Sequence, residues 1–164
     1  KMDHKQDILR VLREDARLSN EDIAERLGIT AKTVAATIKK LEKDGVIVGF
    51  RALFDDSKLP ENAVKAIIEV KVKPERNGGF DRIARRISKF SKVESLSLMS
   101  SGMFDLMLEI KGETLNDVAE FVSSKLAPME GVISTSTHFI LKKYKISGKL
   151  LQNEDENERL KVTP

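Results

Sequence analysis

The sequence predicts a chain of the α+β class, helical in its first third and mixed β and α beyond it. Three observations support this. Apolar residues recur at helical spacing through the first 44 residues. Beyond residue 63 they mostly alternate as they do in half-buried strands, and two helical stretches interrupt the strands. Between these parts, residues 55–63 form a turn-rich stretch typical of a linker.

Composition narrows the classes of protein before any motif is considered. The 164 residues include 29 Lys and Arg against 26 Asp and Glu, a net charge of +3 that permits nucleic-acid binding without requiring it. Cysteine is absent and histidine occurs twice, so neither a disulfide nor a thiolate or histidine-rich metal site is expected. No cofactor is predicted either. A polar N-terminus and the lack of a long apolar run predict a cytoplasmic protein.

The first two helices are predicted from periodicity and capping residues. The first, within residues 3–15, places its apolar residues on one stripe. The second, over residues 19–27, has Ser19 or Asn20 as its N-cap and acidic residues in its first turn. Gly28 then ends it as a left-handed C-cap.

A third helix and a hairpin follow. The helix is predicted from its N-cap, Thr30, to about Asp44, and Gly45 stops it. Residues 46–54 predict a short strand, a tight turn and a return strand. The stripe predicted to be buried in the third helix consists of Val34, Ile38 and Leu41.

Two short helices joined by a glycine turn and followed by a hairpin form the pattern of a winged helix-turn-helix. Residues 30–54 hold five basic and two acidic residues and are the most basic part of the chain in our division. Lysines can neutralise DNA phosphates, small residues admit the helix to the major groove, and threonines can contact thymine methyls. The alternative is the solvated face of an ordinary three-helix bundle. The predicted DNA-contacting residues are Thr30, Ala31, Lys32, Thr33, Ala36, Thr37, Lys39, Lys40, Lys43 and Arg51.

Beyond the linker, the order of elements predicts a ferredoxin-like β-α-β-β-α-β unit, a four-stranded antiparallel sheet with both helices on one face. The face without helices is expected to be apolar, through Ile67, Met107 and one parity of the last strand, and to pair with a second copy. Strands are predicted at residues 64–73, 93–100, 104–110 and 132–145. The buried helical stripes are predicted to be Phe80, Ile83, Ala84, Ile87 and Phe90, then Leu115, Val118, Ala119, Val122 and Leu126.

Four stretches follow one another in a specific order and spacing. They are Asp22-Ile23-Ala24-Glu25-Arg26-Leu27-Gly28-Ile29, residues 33–47 ending in Gly45-Val46-Ile47, Gly102-Met103-Phe104-Asp105-Leu106, and residues 131–141 around Thr135-Ser136-Thr137. Together, over roughly residues 3–145, they resemble the Lrp/AsnC family of feast/famine transcription regulators. The resemblance implies a winged helix-turn-helix and a RAM-type regulatory domain that dimerises through its sheets. It also implies assembly into tetramers or octamers on double-stranded DNA, and an amino-acid effector.

By the same resemblance, the effector lies at an interface between regulatory domains, in contact with Gly102, Met103, Phe104, Asp105, Thr135, Ser136 and Thr137. Met103 stands where members often carry an acid or an amide, so either the effector has an apolar side chain or none binds. Asp105 can equally be a turn residue, and the threonines can reflect strand propensity alone. The predicted domains are 1–54 for DNA, 55–63 as linker and 64–145 for effector and oligomerisation. The acidic tail, 146–164, is given no function.

Three function classes follow from these residues. The first is a ligand-tunable transcription regulator. The second, an enzyme, is disfavoured because the chain has no phosphate-binding loop, no nucleophile elbow and no histidine-based metal pair. The third is a nucleoid-architecture protein that coats DNA with little sequence preference. The ratio of affinity for operator to affinity for random duplex separates the first class from the third.

Overall fold

The computed structural model describes residues 4–60, 63–76, 78–100 and 102–151. The chain divides between Leu53 and Phe54 into two compact units. No helix among the described residues is long and apolar enough to cross a membrane. The same residues contain no cluster of three or more side chains suited to hold a metal ion.

The N-terminal unit contains three helices: α1 (Lys5–Glu14), α2 (Asn20–Leu27) and α3 (Ala31–Lys43). The predicted caps are confirmed, since Ser19 and Asp22 form a reciprocal capping box and Gly28 ends α2 at φ +64°. Five buried side chains hold the helices together: Ile8, Val11, Ile23, Ala24 and Val34. Of the predicted α3 stripe, Val34 and Leu41 are buried and Ile38 is half-buried.

The second unit is built on a sheet of four strands: β1 (Val64–Val72), β2 (Val93–Leu98), β3 (Leu106–Gly112) and β4 (Val132–Phe139). Their spatial order is β2-β3-β1-β4, and all neighbours are antiparallel. Helix α4 (Asp81–Ile87) follows β1, and α5 (Leu115–Phe121), which continues into a π-helical turn at Val122–Leu126, follows β3. The predicted β-α-β-β-α-β order is therefore confirmed.

The core of this unit lies between the sheet and its helices. Alternate residues of β1 and β3 are buried there, and Phe90 meets Phe121 edge to face with ring centroids 5.4 Å apart. The predicted α5 stripe is partly wrong: Leu115 and Ala119 are exposed, and Phe121 is buried in their place. A stripe drawn through Leu115 and Ala119 misses Phe121, which lies on the same face as Val118 three residues earlier.

The predicted last strand, 132–145, is too long. β4 ends at Phe139 because it pairs there with Ala66, close to Val64, the first residue of β1, and the ladder finishes with the Ile140 N–H donating to the Lys65 carbonyl. The chain then turns into a small hairpin, β5 (Lys145–Ile146) and β6 (Lys149–Leu150). Residues 152–164 of the predicted tail lie outside the described residues.

The predicted hairpin at residues 46–54 is also wrong: none of these residues is in a strand. A two-residue hairpin loop needs positive φ, and Gly49 does not adopt it, whereas Ser147 (φ +44°) and Gly148 (φ +82°) do so between β5 and β6. A two-stranded ribbon is also marginal without packing. The segment therefore leaves several apolar side chains exposed: Val46, Val48, Phe50, Leu53 and Phe54.

The sheet face without helices is mixed rather than apolar. Ile67 and Met107 lie on it as predicted, but directly opposite partners share a face, so Ile67 faces Glu109 and Met107 faces Glu69. The β4 residues on this face are polar: Ser134, Ser136 and His138. The expectation of an apolar open face is wrong because strand alternation sends the β-branched and aromatic residues of β4, including Thr135, Thr137 and Phe139, to the helix side.

Candidate DNA-binding and effector sites

Helix α3 presents a continuous exposed face opposite its buried stripe. Thr30 caps the helix by accepting the Thr33 N–H at 3.2 Å. Helical periodicity places the acidic Glu42 to one side of this face. Arg51 is exposed in the segment after the helix, while Ala31 and Thr37 are half-buried. The predicted contacts that are exposed on or beside α3 are Thr30, Lys32, Thr33, Ala36, Lys39, Lys40 and Lys43.

The hydroxyls of the α3 threonines are partly engaged within the helix. Thr37 Oγ1 donates to the Thr33 carbonyl at 2.8 Å, and Thr33 Oγ1 lies 2.8 Å from Thr30 Oγ1. The Thr37 hydroxyl can therefore accept a hydrogen bond from a base, but it donates one only by giving up its internal bond. Direct readout at Thr37 is thus limited to an acceptor and a methyl group.

Lys39 and Lys40 differ in whether an ion pair must break before they can bind a phosphate. Lys40 Nζ lies 3.4 Å from Asp44 Oδ2, and both side chains are about half exposed (60% and 45%). A pair this exposed contributes little to stability, so a phosphate can replace the Asp44 carboxylate as the partner of Lys40. Lys39 has no ion pair recorded among the described residues.

In the second unit, the side chain of Asp105 is bonded to the neighbouring strand, while its carbonyl accepts the Met99 N–H across its own turn. Its Oδ2 accepts the Val72 N–H at 3.0 Å, and its backbone N–H donates to the Val70 carbonyl. Lys71 Nζ lies 3.6 Å from Oδ1. The β1 ladder with β4 has a register irregularity at Lys71 and Val72, so Asp105 supplies a partner to a backbone group at that irregularity.

Of the other residues of the predicted effector turn, two are exposed and one is half-buried. Gly102 is exposed, Met103 is 73% exposed and Phe104 is half-buried. Ser101, which precedes them, lies outside the described residues. The turn therefore offers backbone groups and an exposed apolar side chain.

The Thr135-Ser136-Thr137 segment does not present one surface. Thr135 and Thr137 oppose the buried Val70 and Ile68 and so lie on the helix side, whereas Ser136 opposes Glu69 on the open side. On the open side, Glu69 Oε2 lies 3.0 Å from His138 Nε2, which is also 3.3 Å from Ser136 Oγ. Sequence periodicity could have separated these residues, because neighbours in a strand always point to opposite faces.

Strand β1 separates the predicted effector turn from the predicted effector strand. Val70 pairs with Leu106 on one side and with Thr135 on the other. Two steps across a sheet are about 10 Å. Within one chain, then, the structure brings Asp105 against β1 and leaves Thr135 beyond it.

A cavity of about 310 Å³ lies at the opposite end of β1. It is lined by Asp55 and by Asp56 and Ser57 of the linker turn (Asp56–Lys58), by Ala63 and Lys65 around the start of β1, by residues 140–143 and by Leu151. Lys65 Nζ donates to Asp56 Oδ2 at 2.6 Å, and this bond, with the nearby charges of Lys65, Lys143 and Lys111, lowers the pKa of the Asp56 carboxyl. These contacts fix the linker turn to the sheet.

Sequence reasoning missed a lysine run beside this cavity. Lys142, Lys143, Lys145 and Lys149 fall within eight residues, and no acidic residue occurs between Glu130 and Glu154. The run escaped notice because the predicted domain boundary at 145 divided it. Its four positive charges exceed the net charge of the whole chain, +3.

Comparison with known proteins agrees with this architecture. Residues 3–48 match a family model described as winged helix-turn-helix DNA-binding, and residues 65–150 match the Lrp/AsnC ligand binding domain. The chain is 46% identical over 159 residues to an uncharacterized HTH-type transcriptional regulator, YugG, of Bacillus subtilis, covering 96% of this chain and 95% of that one. It is 33% identical over 138 residues to the leucine-responsive regulatory protein of Rhizobium meliloti, covering 84% and 87%.

A solved structure has the same fold. A transcriptional regulator of Neisseria meningitidis, crystallised in complex with L-Met, superposes with a TM-score of 0.69 at 24% identity, covering 95% of this chain and 99% of that one. A helix-turn-helix unit joined to a ligand-binding domain defines a transcription regulator that can couple a small molecule to DNA. Within that class, the chain belongs to the Lrp/AsnC family.

Proposed function

We propose that this protein regulates transcription by binding operator DNA through α3, and that an amino acid modulates the binding from the regulatory unit of a homo-oligomer. The observation that carries the proposal is the exposed face of α3, which combines lysines with the small residue Ala36. Lysines at the edge of such a face bind phosphates, and a small residue at its centre lets the helix approach base edges. The proposal places the protein in the cytoplasm, with its DNA, and includes no catalytic step.

The proposed effector is an amino acid with an apolar side chain. Met103 offers an exposed apolar contact where a polar one is common in the family, and the Neisseria relative binds L-Met. Since β1 separates Asp105 from Thr135 within one chain, we infer that one effector contacts the turn of one copy and the strand of another. A site shared between copies couples effector binding to assembly.

One observation favours a second candidate, an architectural protein with little sequence preference. The internal bonds of Thr33 and Thr37 reduce the hydrogen bonds that α3 can offer to bases. An architectural protein binds through phosphates and DNA shape and needs few such bonds.

Fluorescence anisotropy separates the two. The full chain is titrated against the duplex upstream of its own gene and against a scrambled duplex of equal length, with and without the twenty amino acids. Regulation predicts an affinity ratio above about 1,000 and a shift on adding amino acids. A ratio within about tenfold and no shift would support the architectural candidate. Failure to bind either duplex would contradict both.

A further inference from the structure

The lysine run lies on a structurally defined feature, which we call the lysine hairpin (residues 142–150). Ser147 and Gly148 adopt the positive φ values of a two-residue hairpin loop, and β5 and β6 pair around them. Lys145 opposes Leu150, and Ile146 opposes Lys149. Directly opposite residues share a face, so Lys145 and Lys149 project from opposite faces of the hairpin.

The cations of the lysine hairpin differ in their surroundings. Lys142 Nζ lies 5.3 Å from the centre of the Tyr144 ring, and Lys143 is half-buried beside the cavity that Asp56 lines. Lys145 and Lys149 are exposed, and no carboxylate partner is recorded for them among the described residues. Lys145 and Lys149 therefore carry positive charge that no carboxylate of the described residues neutralises, and an anionic partner stabilises such charge.

We propose that the lysine hairpin is a second DNA-contacting surface, which binds backbone phosphates. This inference rests on the proposed function. Phosphates fit better than a single small anion, because cations on opposite faces of one hairpin can meet the two phosphate rows that border a groove.

Contacts to phosphate carry no sequence information directly. The hairpin would therefore strengthen binding to every duplex alike and leave the choice of operator to α3.

The test compares salt dependence in two double variants of equal charge change. Lys145→Gln with Lys149→Gln removes the proposed contacts, whereas Lys89→Gln with Lys125→Gln removes two exposed lysines from the helix layer of the same unit. Each lost phosphate contact lowers the slope of log affinity against log salt by about 0.9. We expect the hairpin variant to lose about 1.8 from the slope, and the control variant to keep the wild-type value. Both are expected to keep the wild-type operator-to-scrambled ratio and melting temperature.

Equal slopes in the hairpin and control variants would overturn the inference and leave the proposed function intact. A full-length variant with Glu154→Gln, Asp155→Asn, Glu156→Gln and Glu158→Gln identifies the competing partner. If its slope is steeper than that of the wild type while the hairpin variant behaves as wild type, the lysines serve the acidic tail and the inference fails. Absence of wild-type binding to any duplex would overturn the proposed function and the inference together.

Discussion

At the scale of one residue, Asp105 shows how a side chain at a predicted effector contact also bonds to the neighbouring strand. The sequence left two roles open for it, an effector contact and a turn residue. The structure shows a bond from the buried Val72 N–H to Asp105 Oδ2 across the sheet. The sequence could not reveal that bond, because Val72 and Asp105 are 33 residues apart and meet only once β1 and β3 have paired.

Asp105→Ala is therefore expected to destabilise the second unit. A buried N–H left without a partner costs about 1–3 kcal/mol, which lowers the melting temperature by roughly 5–15 °C. Asp105→Asn keeps an acceptor oxygen and should melt close to the wild type. Thermal unfolding followed by circular dichroism measures both. If Asp105→Ala has the melting temperature of the wild type, the bond to the Val72 N–H contributes nothing to stability. Contact with the effector would then be the remaining role of Asp105.

Thr37 permits a comparable test of base readout. Its hydroxyl proton is used within α3, so the methyl group is the part left to contact a thymine. Thr37→Val keeps the methyl and should retain most of the operator-to-scrambled ratio, while Thr37→Ala should lower that ratio by about tenfold, the equivalent of 1.4 kcal/mol. Anisotropy on the two duplexes measures the ratio. Equal losses on operator and scrambled DNA in Thr37→Ala would mean that Thr37 reads no base.

At the scale of elements, local signals predicted ends and turns better than they predicted pairing. An N-cap at Ser19 or Asn20 and a left-handed C-cap at Gly28 follow from residue type alone, and Ser19 and Gly28 are observed in these roles. Residues 46–54 and the end of β4 were mispredicted, because a strand also needs a neighbour. Pairing depends on where other strands begin, as β1 does at Val64, and such information is distributed over the chain.

The start of α5 gives an element-scale prediction about pH. Asp117 accepts a bond from Lys92 Nζ at 2.6 Å and another from the Glu113 N–H, and the Lys92 bond, with the Glu113 bond second, lowers the pKa of the Asp117 carboxyl. A carboxyl whose pKa is lower in the folded state than in the unfolded state stabilises the fold when the pH is above its unfolded-state pKa. This stabilisation is lost as the pH falls through its folded-state pKa.

The melting temperature should therefore fall as pH drops from about 5 to 3, and Asp117→Asn should reduce that dependence. The amide retains an acceptor for the Glu113 N–H but no longer pairs ionically with Lys92. Glu120→Gln, an exposed change on the same helix, serves as the matched control. If the melting temperatures of Asp117→Asn and Glu120→Gln depend on pH as that of the wild type does, the ion pair of Asp117 with Lys92 does not cause the loss of stability in acid.

On the scale of the whole molecule, the chain joins a unit that is suited to contact DNA with a unit that is suited to sense a ligand. The order of elements and the family motifs predicted this division, because they depend on local pattern. Two features were not predictable in the same way. The mixed open face of the sheet depends on strand parity within β4, and the separation of Asp105 from Thr135 depends on β1 lying between them.

The central claim, that α3 carries the DNA contact, is tested most directly by placing a carboxylate at the centre of its exposed face. Ala36 is exposed, so Ala36→Glu should fold normally, while Ala119→Glu makes the same change on an exposed position of α5. Like-charge contact with DNA costs several kcal/mol, so Ala36→Glu should weaken operator binding by about 100-fold or more, measured by anisotropy at one salt concentration. Ala119→Glu should stay within about twofold of the wild type. Wild-type affinity in a folded Ala36→Glu variant would contradict the account.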